Sequence, residues 1–420
     1  MKITEKLKKS SKKQQIPHYA ALDIGTEFVK ALVFKVGEGG KAHVVGWGRQ
    51  RQRLGDMQGG TVTDIGGVVE NCAKALDAAE EMAGAIAESC IIGIAGELVK
   101  GTTTTVHYER LNPKIKIDYN ELKNIVNKIQ LRVFEEARKQ LAWETGHEEL
   151  DVKLVNASVV DVKIDGYRVT NPIGFQGKEV TVGVFNAFAP MVQLGALQSV
   201  AADLDLDLIT IAAEPYAVAR SMGVQEAGEF NAIFIDIGGG TTDIAVVTNG
   251  GVEGTRMFAI GGRSFTKRLA SALNVPFGRA EEIKIAYSED ILKEKSKKIV
   301  RDALYADANV WRSGVELSLS EFSDLDILPP RILLCGGGSA LPEIKEVLSE
   351  AGWYKDLPFS KKPAVHFINP KDVVNIVDET GKIKDQQDIT PMGLANLIIE
   401  MGEEDVLPNL MRKITKTLQV

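Results

Sequence analysis

Two acidic, glycine-containing turns, far apart in the chain, have the residue types that suit chemistry on an anionic ligand. Asp23-Ile24-Gly25-Thr26 follows an apolar strand near the start, and Asp236-Ile237-Gly238-Gly239-Gly240-Thr241-Thr242-Asp243 follows another. Glycine permits tight turns and close approach to a ligand, and successive N–H groups in a turn form a concave array suited to phosphate oxygens. The threonine hydroxyls can also donate, and Asp23 and Asp236 can supply oxygens to a hydrated, phosphate-bound Mg²⁺. The duplication predicts two similar lobes that clamp one polyphosphate.

A third glycine-rich segment follows in the same order. The apolar strand Arg331–Cys335 runs into Gly336, Gly337, Gly338 and Ser339, and a helix is predicted after them. Glycines between a strand and a helix N-terminus again allow a ligand to approach closely. Alone, this segment could be an ordinary strand-to-helix turn; after the two acidic turns it completes a set of three.

Alternating strands and helices surround these turns. Period-2 and period-3.6 patterns predict the strands 19–22, 29–36, 42–47 and 90–95 and a helix over 68–82. Residues 98–190 interrupt this alternation with strand 102–108, helix 119–141 and strands 152–163 and 180–188. We therefore expect an inserted α+β unit, with strand 231–236 resuming the earlier pattern.

Composition excludes several classes of protein. The 420 residues carry a formal net charge of −7, so the chain as a whole is not a nucleic-acid binder. Cys72, Cys90 and Cys335 lack metal-ligand spacing, and with no secretory signal they indicate free thiols in the cytoplasm. No apolar run reaches the roughly 18 residues that cross a bilayer.

The three segments resemble the phosphate-one, phosphate-two and adenosine motifs of the actin, sugar-kinase and DnaK-type chaperone superfamily. Within it, the chain is identified as a member of the FtsA family. The similarity in residues and spacing lies in Gly59–Asp64, Ala78–Gly84, Ile92–Glu97, Asn171–Gly177 and Asp236–Gly262. The insertion also falls where FtsA carries its own subdomain, whereas MreB and actin have a different one elsewhere.

The resemblance implies an α/β, actin-like ATPase fold of two duplicated lobes with an inserted α+β subdomain in the first. We expect a basic tail at 1–15, lobe I at 16–97, 191–225 and 388–402, and the insertion at 98–190. Lobe II is expected at 226–387 and an amphipathic tail at 403–420.

The resemblance also assigns roles to residues of a site for ATP and Mg²⁺. Asp23 and Asp236 would order the Mg²⁺ and its waters. The phosphates would be held by Gly25, Thr26, Gly238, Gly239, Gly240, Thr241 and Thr242, and the adenosine segment would be Gly336, Gly337, Gly338 and Ser339.

Three further residues have two interpretations each. Glu281 and Lys284 lie one helical turn apart, either facing the ribose, as the resemblance implies, or forming a solvated ion pair. Glu214, ahead of Pro215, matches the water-activating position of MreB-type relatives, where it would be catalytic and accept or orient a proton. It could instead be a charged first-turn residue of a helix.

FtsA-like proteins hydrolyse ATP slowly, polymerise with copies of themselves and tether the FtsZ ring to the cytoplasmic membrane. One segment departs from the family: only Tyr287–Lys298 separates the helix at 280–286 from the next, 299–322, where FtsA has a β-hairpin region. The subdomain that binds FtsZ in the family is therefore expected to be shortened. The alternatives are a PilM-like cytoplasmic scaffold for pilus assembly, and a kinase or chaperone-like ATPase with the same fold.

The two ends of the chain suggest a peripheral position on the inner face of the membrane. Residues 1–15 hold six lysines and one glutamate, which predicts a solvated tail or a weak attraction to anionic lipid. In the last segment an apolar helical stripe is flanked by basic residues; it consists of Leu407, Leu410, Met411, Ile414 and Leu418. Such a helix can lie in the membrane interface or dock on the protein's own core.

Overall fold

A computed structural model describes residues 16–96, 98–145, 152–222 and 230–402. The predicted basic tail at 1–15 and the amphipathic tail at 403–420 lie outside the described residues, as does Glu97 of the family-like segment.

Each of the nine strands predicted from the sequence is present, and most of their ends lie one to four residues further out; the sequence predicts no bounds for the other strands. In chain order they are β1 (His18–Ile24), β2 (Phe28–Val36), β3 (Ala42–Arg51), β4 (Met57–Gln58), β5 (Thr61–Val62), β6 (Ser89–Ile94), β7 (Lys100–Glu109), β8 (Val152–Ile164), β9 (Tyr167–Arg168), β10 (Glu179–Pro190), β11 (Asp207–Ala213), β12 (Ala232–Ile237), β13 (Thr242–Thr248), β14 (Gly251–Phe258), β15 (Arg331–Cys335), β16 (Ala364–Phe367) and β17 (Ile376–Asp378).

The helices are α1 (Ile65–Ala83), α2 (Tyr119–Thr145), α3 (Met191–Asp203), α4 (Glu214–Arg220), α5 (Gly262–Leu273), α6 (Phe277–Ser288), α7 (Glu294–Ser320), α8 (Pro342–Ser349) and α9 (Ile389–Gly402). Helix α1 shows why they begin and end where they do. The Asp64 carboxylate accepts a hydrogen bond from the Gly67 N–H, and Gly84 ends the helix with φ +63°. An Asp that accepts such a bond is favoured at the start of a helix, and a glycine with positive φ is favoured at its end.

Lobe I is built on a six-stranded sheet in the order β11-β6-β1-β2-β3-β17. Strands β1, β2 and β3 are antiparallel neighbours, whereas β6 runs parallel to β1 and β11 parallel to β6. Helix α1 packs closely on β3 because Gly46 and Gly48 face it. A Cβ on either glycine would come within 2.0 Å of a backbone carbonyl oxygen of α1.

Lobe II is built on a nine-stranded sheet in the order β16-β15-β12-β13-β14-β7-β10-β8-β9. Its central hairpin repeats the geometry of the first: Asp23 lies opposite Lys30 in β1–β2, and Asp236 lies opposite Asp243 in β12–β13. The two acidic turns therefore come from two equivalent hairpins, one in each lobe.

The insertion joins the sheet of lobe II rather than forming a separate sheet on lobe I. Strand β7 pairs with β14 through Gly101 opposite Thr255 and Thr102 opposite Gly254. A Cβ on Gly101 would lie 2.3 Å from the Thr255 hydroxyl, so glycine is required at this junction. The insertion has its own small apolar core, formed with helix α2.

The structure moves one predicted boundary and gives the length of one connection. Strand β17 already pairs with β3, so the chain returns to the sheet of lobe I at Ile376 and not at residue 388. Three residues are too few for a strand pattern to be recognised in the sequence. Between α6 and α7 only residues 289–293 intervene.

Candidate functional site

A cleft of about 770 Å³ lies where the ends of the two equivalent hairpins meet. It brings together most of the predicted site residues: Asp23, Gly25, Thr26, Glu214, Asp236, Gly238, Gly239, Thr241, Glu281, Lys284, Gly336, Gly337 and Gly338. These come from β1, β12, β15 and their turns, from α4 and from α6. Residues distant in sequence thus converge on one cavity.

The two acidic turns touch each other across the lobes. A Cβ on Gly239 would lie 2.6 Å from the Glu27 Cβ, and one on Gly240 would lie 2.7 Å from the Thr26 hydroxyl. Ordinary contacts between carbon atoms are about 3.5–4.0 Å. These two glycines therefore allow the lobes to meet, and Gly240 faces Thr26 rather than lining the cavity.

Gly336 places the third segment directly against the second turn. Its φ is +80°, and a Cβ there would lie 2.0 Å from the Asp236 Oδ1 and 2.5 Å from the Ile237 carbonyl oxygen. Glycine meets both requirements, since it adopts positive φ freely and has no side chain.

Some of the turn N–H groups are already engaged in hydrogen bonds. The Gly25 N–H donates to the Phe28 carbonyl at 3.1 Å, and the Gly238 N–H donates to the Thr241 carbonyl at 2.9 Å. The first glycine of each turn therefore shapes the turn, and its N–H is not available to a phosphate.

Four buried carboxyl groups line the cleft: Asp23, Glu214, Asp236 and Asp243. Burial raises the pKa of Glu214 well above its ordinary value, and repulsion from the three aspartates adds to the rise. Burial also raises the pKa of Asp243, with Asp236 adding to it. The pKa of Asp236 is raised by burial as well, although a hydrogen bond from the Thr390 hydroxyl opposes the rise.

Lys30 provides positive charge at the centre of this acidic group. Its ammonium donates to the Asp23 carboxylate at 3.0 Å and to the Gln387 carbonyl at 2.6 Å. Burial alone would lower the pKa of Lys30, but attraction to Asp23, Asp388 and Asp236 outweighs burial and raises it. Lys30 is therefore held as a cation.

Asp243 and Lys30 were not predicted as site residues. Each follows the acidic residue of its turn by seven positions, so the spacing that marks the repeat could have identified them. In both hairpins this places the second residue directly across from the first. The Asp243 Oδ1 is buried and has no hydrogen-bond partner in the described part of the chain.

Glu281 and Lys284 form a buried pair rather than a solvated one. The Lys284 ammonium lies 2.8 Å from the Glu281 carboxylate and also donates to the Gly262 carbonyl and the Thr266 hydroxyl, at 3.0 and 2.8 Å. The Glu281 side chain is 5% exposed and the Lys284 side chain is 12% exposed. The pair lines the end of the cleft beside Ile285, Ser288 and Leu341.

Thr242 and Ser339 are not placed to hold a ligand through their side chains. The Thr242 hydroxyl is fully buried, donates to the Ile260 carbonyl at 2.7 Å and accepts from the Trp311 indole at 2.8 Å. The Ser339 hydroxyl is fully buried too and donates to the Gly336 carbonyl at 2.7 Å. Both predicted roles need correction, because each hydroxyl is satisfied inside lobe II.

These carboxyl groups suit a divalent cation that keeps its waters better than they suit a cation that they ligate directly. In the described ranges no group of three or more His, Cys, Asp or Glu side chains converges closely enough to hold a bare metal ion. Asp23, Asp236, Asp243 and Glu214 nevertheless repel one another, and one oxygen of Asp243 is orphaned. A hydrated Mg²⁺ suits such a group, since Mg²⁺ gives up its waters reluctantly.

None of the helices that the structure describes combines the length and apolar content needed to cross a membrane.

Comparison with known proteins agrees with this geometry. A family model for cell division protein FtsA matches residues 233–387, which contain the second and third glycine segments. FtsA of Pseudomonas aeruginosa is 27% identical over 349 residues, 78% of this chain and 79% of that protein. FtsA of Neisseria meningitidis is 31% identical over 277 residues, 65% of this chain and 62% of that protein. FtsA of Bacillus subtilis is 23% identical over 353 residues, 79% of this chain and 76% of that protein.

Among solved structures, the PilM–PilN type IV pilus biogenesis complex is similar in fold, with a TM-score of 0.63. The match covers 91% of this chain and 98% of that one at 16% identity, so it shows the fold alone. The fold is that of the actin-like ATPases. The duplicated hairpins, the shared cleft and these relatives together show an FtsA-like cell-division protein.

Proposed function

We propose that the cleft binds ATP with Mg²⁺. The observation that carries this proposal is the set of four buried carboxyl groups around Lys30, at the point where the two glycine turns meet. Such an arrangement is costly without a cation, because buried like charges repel. When bound, Mg²⁺ would supply positive charge that offsets these carboxylates and the phosphates.

Each part of the cleft suits a different part of the nucleotide. Lys30 and the turns around Gly239 and Thr241 would hold phosphates, since a buried cation and close-approaching backbone suit them. The buried Glu281–Lys284 pair would face the ribose. Gly336 to Gly338 would allow the base to approach the strand end at β15.

Glu214 is proposed as the residue that orients the attacking water or accepts its proton. It is the first residue of α4, immediately before Pro215, and its side chain lines the cleft. The two interpretations of its sequence position are therefore compatible. Burial and the neighbouring aspartates raise the pKa of Glu214, which favours its ability to accept a proton from water.

At the level of the cell, we propose an FtsA-like adaptor that polymerises and tethers an FtsZ ring to the inner face of the membrane. Similarity to FtsA proteins supports a role in cell division. The apolar stripe and basic flank of residues 403–420 support an amphipathic membrane helix. One short helix binds weakly, but a polymer carrying many copies would bind strongly.

Vesicle flotation tests the tether. The full-length chain and a variant ending at Gly402 are floated with anionic vesicles, each with and without ATP and Mg²⁺. We expect the full-length chain to float and the truncated one to remain below. No flotation of the full-length protein at high concentration would reject the tether and favour the PilM-like cytoplasmic scaffold.

A pull-down against the FtsZ of the same organism tests the partner. Residues 289–293, which connect α6 and α7, lie in the region that the resemblance associates with FtsZ binding. Retention of FtsZ by the full-length chain is the expected result. Failure of FtsZ to bind, alongside intact nucleotide binding, would contradict the division role without affecting the nucleotide site.

A further inference from the structure

One side chain of lobe II, that of Arg263, lines the cleft and is anchored on lobe I. The Arg263 Nε donates to the Glu27 carboxylate at 2.6 Å, and its Nη1 donates to the Met57 carbonyl at 3.1 Å. Arg263 belongs to α5, which packs in the core of lobe II, whereas Glu27 and Met57 belong to lobe I. This contact is distinct from the residues proposed to hold phosphates.

Glu27 is well prepared to receive this arginine. Its other carboxylate oxygen accepts from the Arg51 Nε at 2.7 Å, so both oxygens are engaged. The side chains of Glu27 and Arg263 are 10% and 11% exposed. A pair this buried is screened far less by solvent and salt than a surface pair.

The backbone links this contact to the second glycine turn. The Arg263 N–H donates to the Gly239 carbonyl at 2.7 Å, and the Gly262 N–H donates to the Gly238 carbonyl at 2.9 Å. On the other side, Glu27 follows Thr26 of the first turn and touches Gly239. Any separation of the two turns therefore has to break the Arg263–Glu27 pair.

We propose that Arg263 and Glu27 form an interlobe latch that holds the two lobes closed at the turns and slows release of nucleotide. The proposal rests on the nucleotide site proposed above. Here both residues are positioning residues: they act by keeping the turns together, not by touching the phosphates.

The first test measures release of a fluorescent ATP analogue, chased by excess ATP in the presence of Mg²⁺. Arg263→Gln and Glu27→Gln should each speed release by about tenfold, equivalent to ~1.4 kcal/mol, because breaking a buried charge pair acts on the dissociation rate. The double variant should release little faster than either single variant, since both remove the same contact.

Arg268→Gln is the matched control. Arg268 lies on the same helix, but its partner, Asp307 at 2.6 Å, belongs to α7 of the same lobe. We expect its release rate to equal that of the wild type. A wild-type rate in Arg263→Gln, or fully additive effects in the double variant, would overturn the latch.

Hydrogen–deuterium exchange of the nucleotide-free protein separates failure of the latch from failure of the nucleotide site. Loss of the latch should speed exchange in residues 52–62, which include the Met57 contact, and leave α1 unchanged. If the wild type does not bind ATP, the proposed function fails and this exchange alone decides the latch. Equal exchange in wild type and Arg263→Gln would then overturn it.

Discussion

Replacing Gly336 by alanine should destabilise the protein through two separable effects. The residue has φ +80° and ψ 161°, a conformation essentially restricted to glycine that costs another residue about 1–3 kcal/mol. The new Cβ would also lie 2.0 Å from the Asp236 Oδ1 and 2.5 Å from the Ile237 carbonyl oxygen. The Ile237 oxygen is backbone, and the short Asp236 side chain is held by the Thr390 hydroxyl, so overpacking adds about 1–3 kcal/mol. We expect a total loss of about 2–6 kcal/mol.

Two glycines allow these effects to be measured separately. Gly381 has φ +64° with nothing within 4 Å of a Cβ, and Gly278 has neither positive φ nor a neighbour. Gly381→Ala should therefore show the cost of a positive φ without any close contact. Gly278→Ala, inside α6, should be neutral or gain about 0.5–1 kcal/mol.

The assay is urea denaturation of the nucleotide-free protein, followed by tryptophan fluorescence. The expected order of stability is Gly278→Ala at or above the wild type, then Gly381→Ala, then Gly336→Ala. If Gly336→Ala were no less stable than Gly381→Ala, the close approach of the third segment to Asp236 would be refuted.

Three other expectations concern buried polar groups. Thr242→Val removes the acceptor of the Trp311 indole and should cost about 1–3 kcal/mol in denaturation, while the affinity for ATP stays unchanged because this hydroxyl faces lobe II. A large loss of affinity for ATP would show that the Thr242 hydroxyl contributes to the site. The raised pKa values of Glu214 and Asp243 mean that the folded state binds extra protons above the ordinary carboxyl pKa of about 4, so stability of the nucleotide-free protein should fall as pH rises. Asp243→Asn should flatten that decline in denaturation curves taken across pH, and an unchanged slope would contradict it. Burial raises the pKa of the Cys90 thiol to about 12, and it also raises the pKa of Cys72 and of Cys335. All three thiols should therefore resist a disulfide reagent until the protein is unfolded. Rapid reaction of the native protein would contradict that burial.

The sequence predicted the strand-and-turn framework well because its cause is local. Apolar runs ending in Asp-Ile-Gly located β1 and β12, and the third glycine segment located the end of β15. The spacing also placed Asp23 and Asp236 at equivalent positions. Each of these features depends on a few adjacent residues.

Side-chain direction after the second turn could not be predicted in the same way. Alternate residues of a strand point to opposite faces, so Thr241 and Asp243 face the cleft while Thr242 faces the Trp311 side. The sequence did not show where β13 begins, and all three residues were equally plausible in the motif. One residue of register decides which of them lines the cavity.

Contacts between the lobes were also beyond the sequence. Nothing in the segments around Glu27 and Arg263 marks them as partners, and their contact depends on how the two lobes are placed relative to each other. The short strand β17 is a similar case, since only its pairing with β3 identifies it.

Calorimetric titration of the full-length protein with ATP and Mg²⁺ tests the central claim, a shared nucleotide cleft, most directly. We predict saturable binding that Asp236→Ala weakens by about tenfold or more, because the variant removes a buried carboxylate between the turns. Glu282→Gln, at an exposed position of α6 paired with Arg279, should bind as the wild type does. An absence of heat change with ATP up to about 1 mM, or equal binding by Asp236→Ala, would contradict the shared cleft.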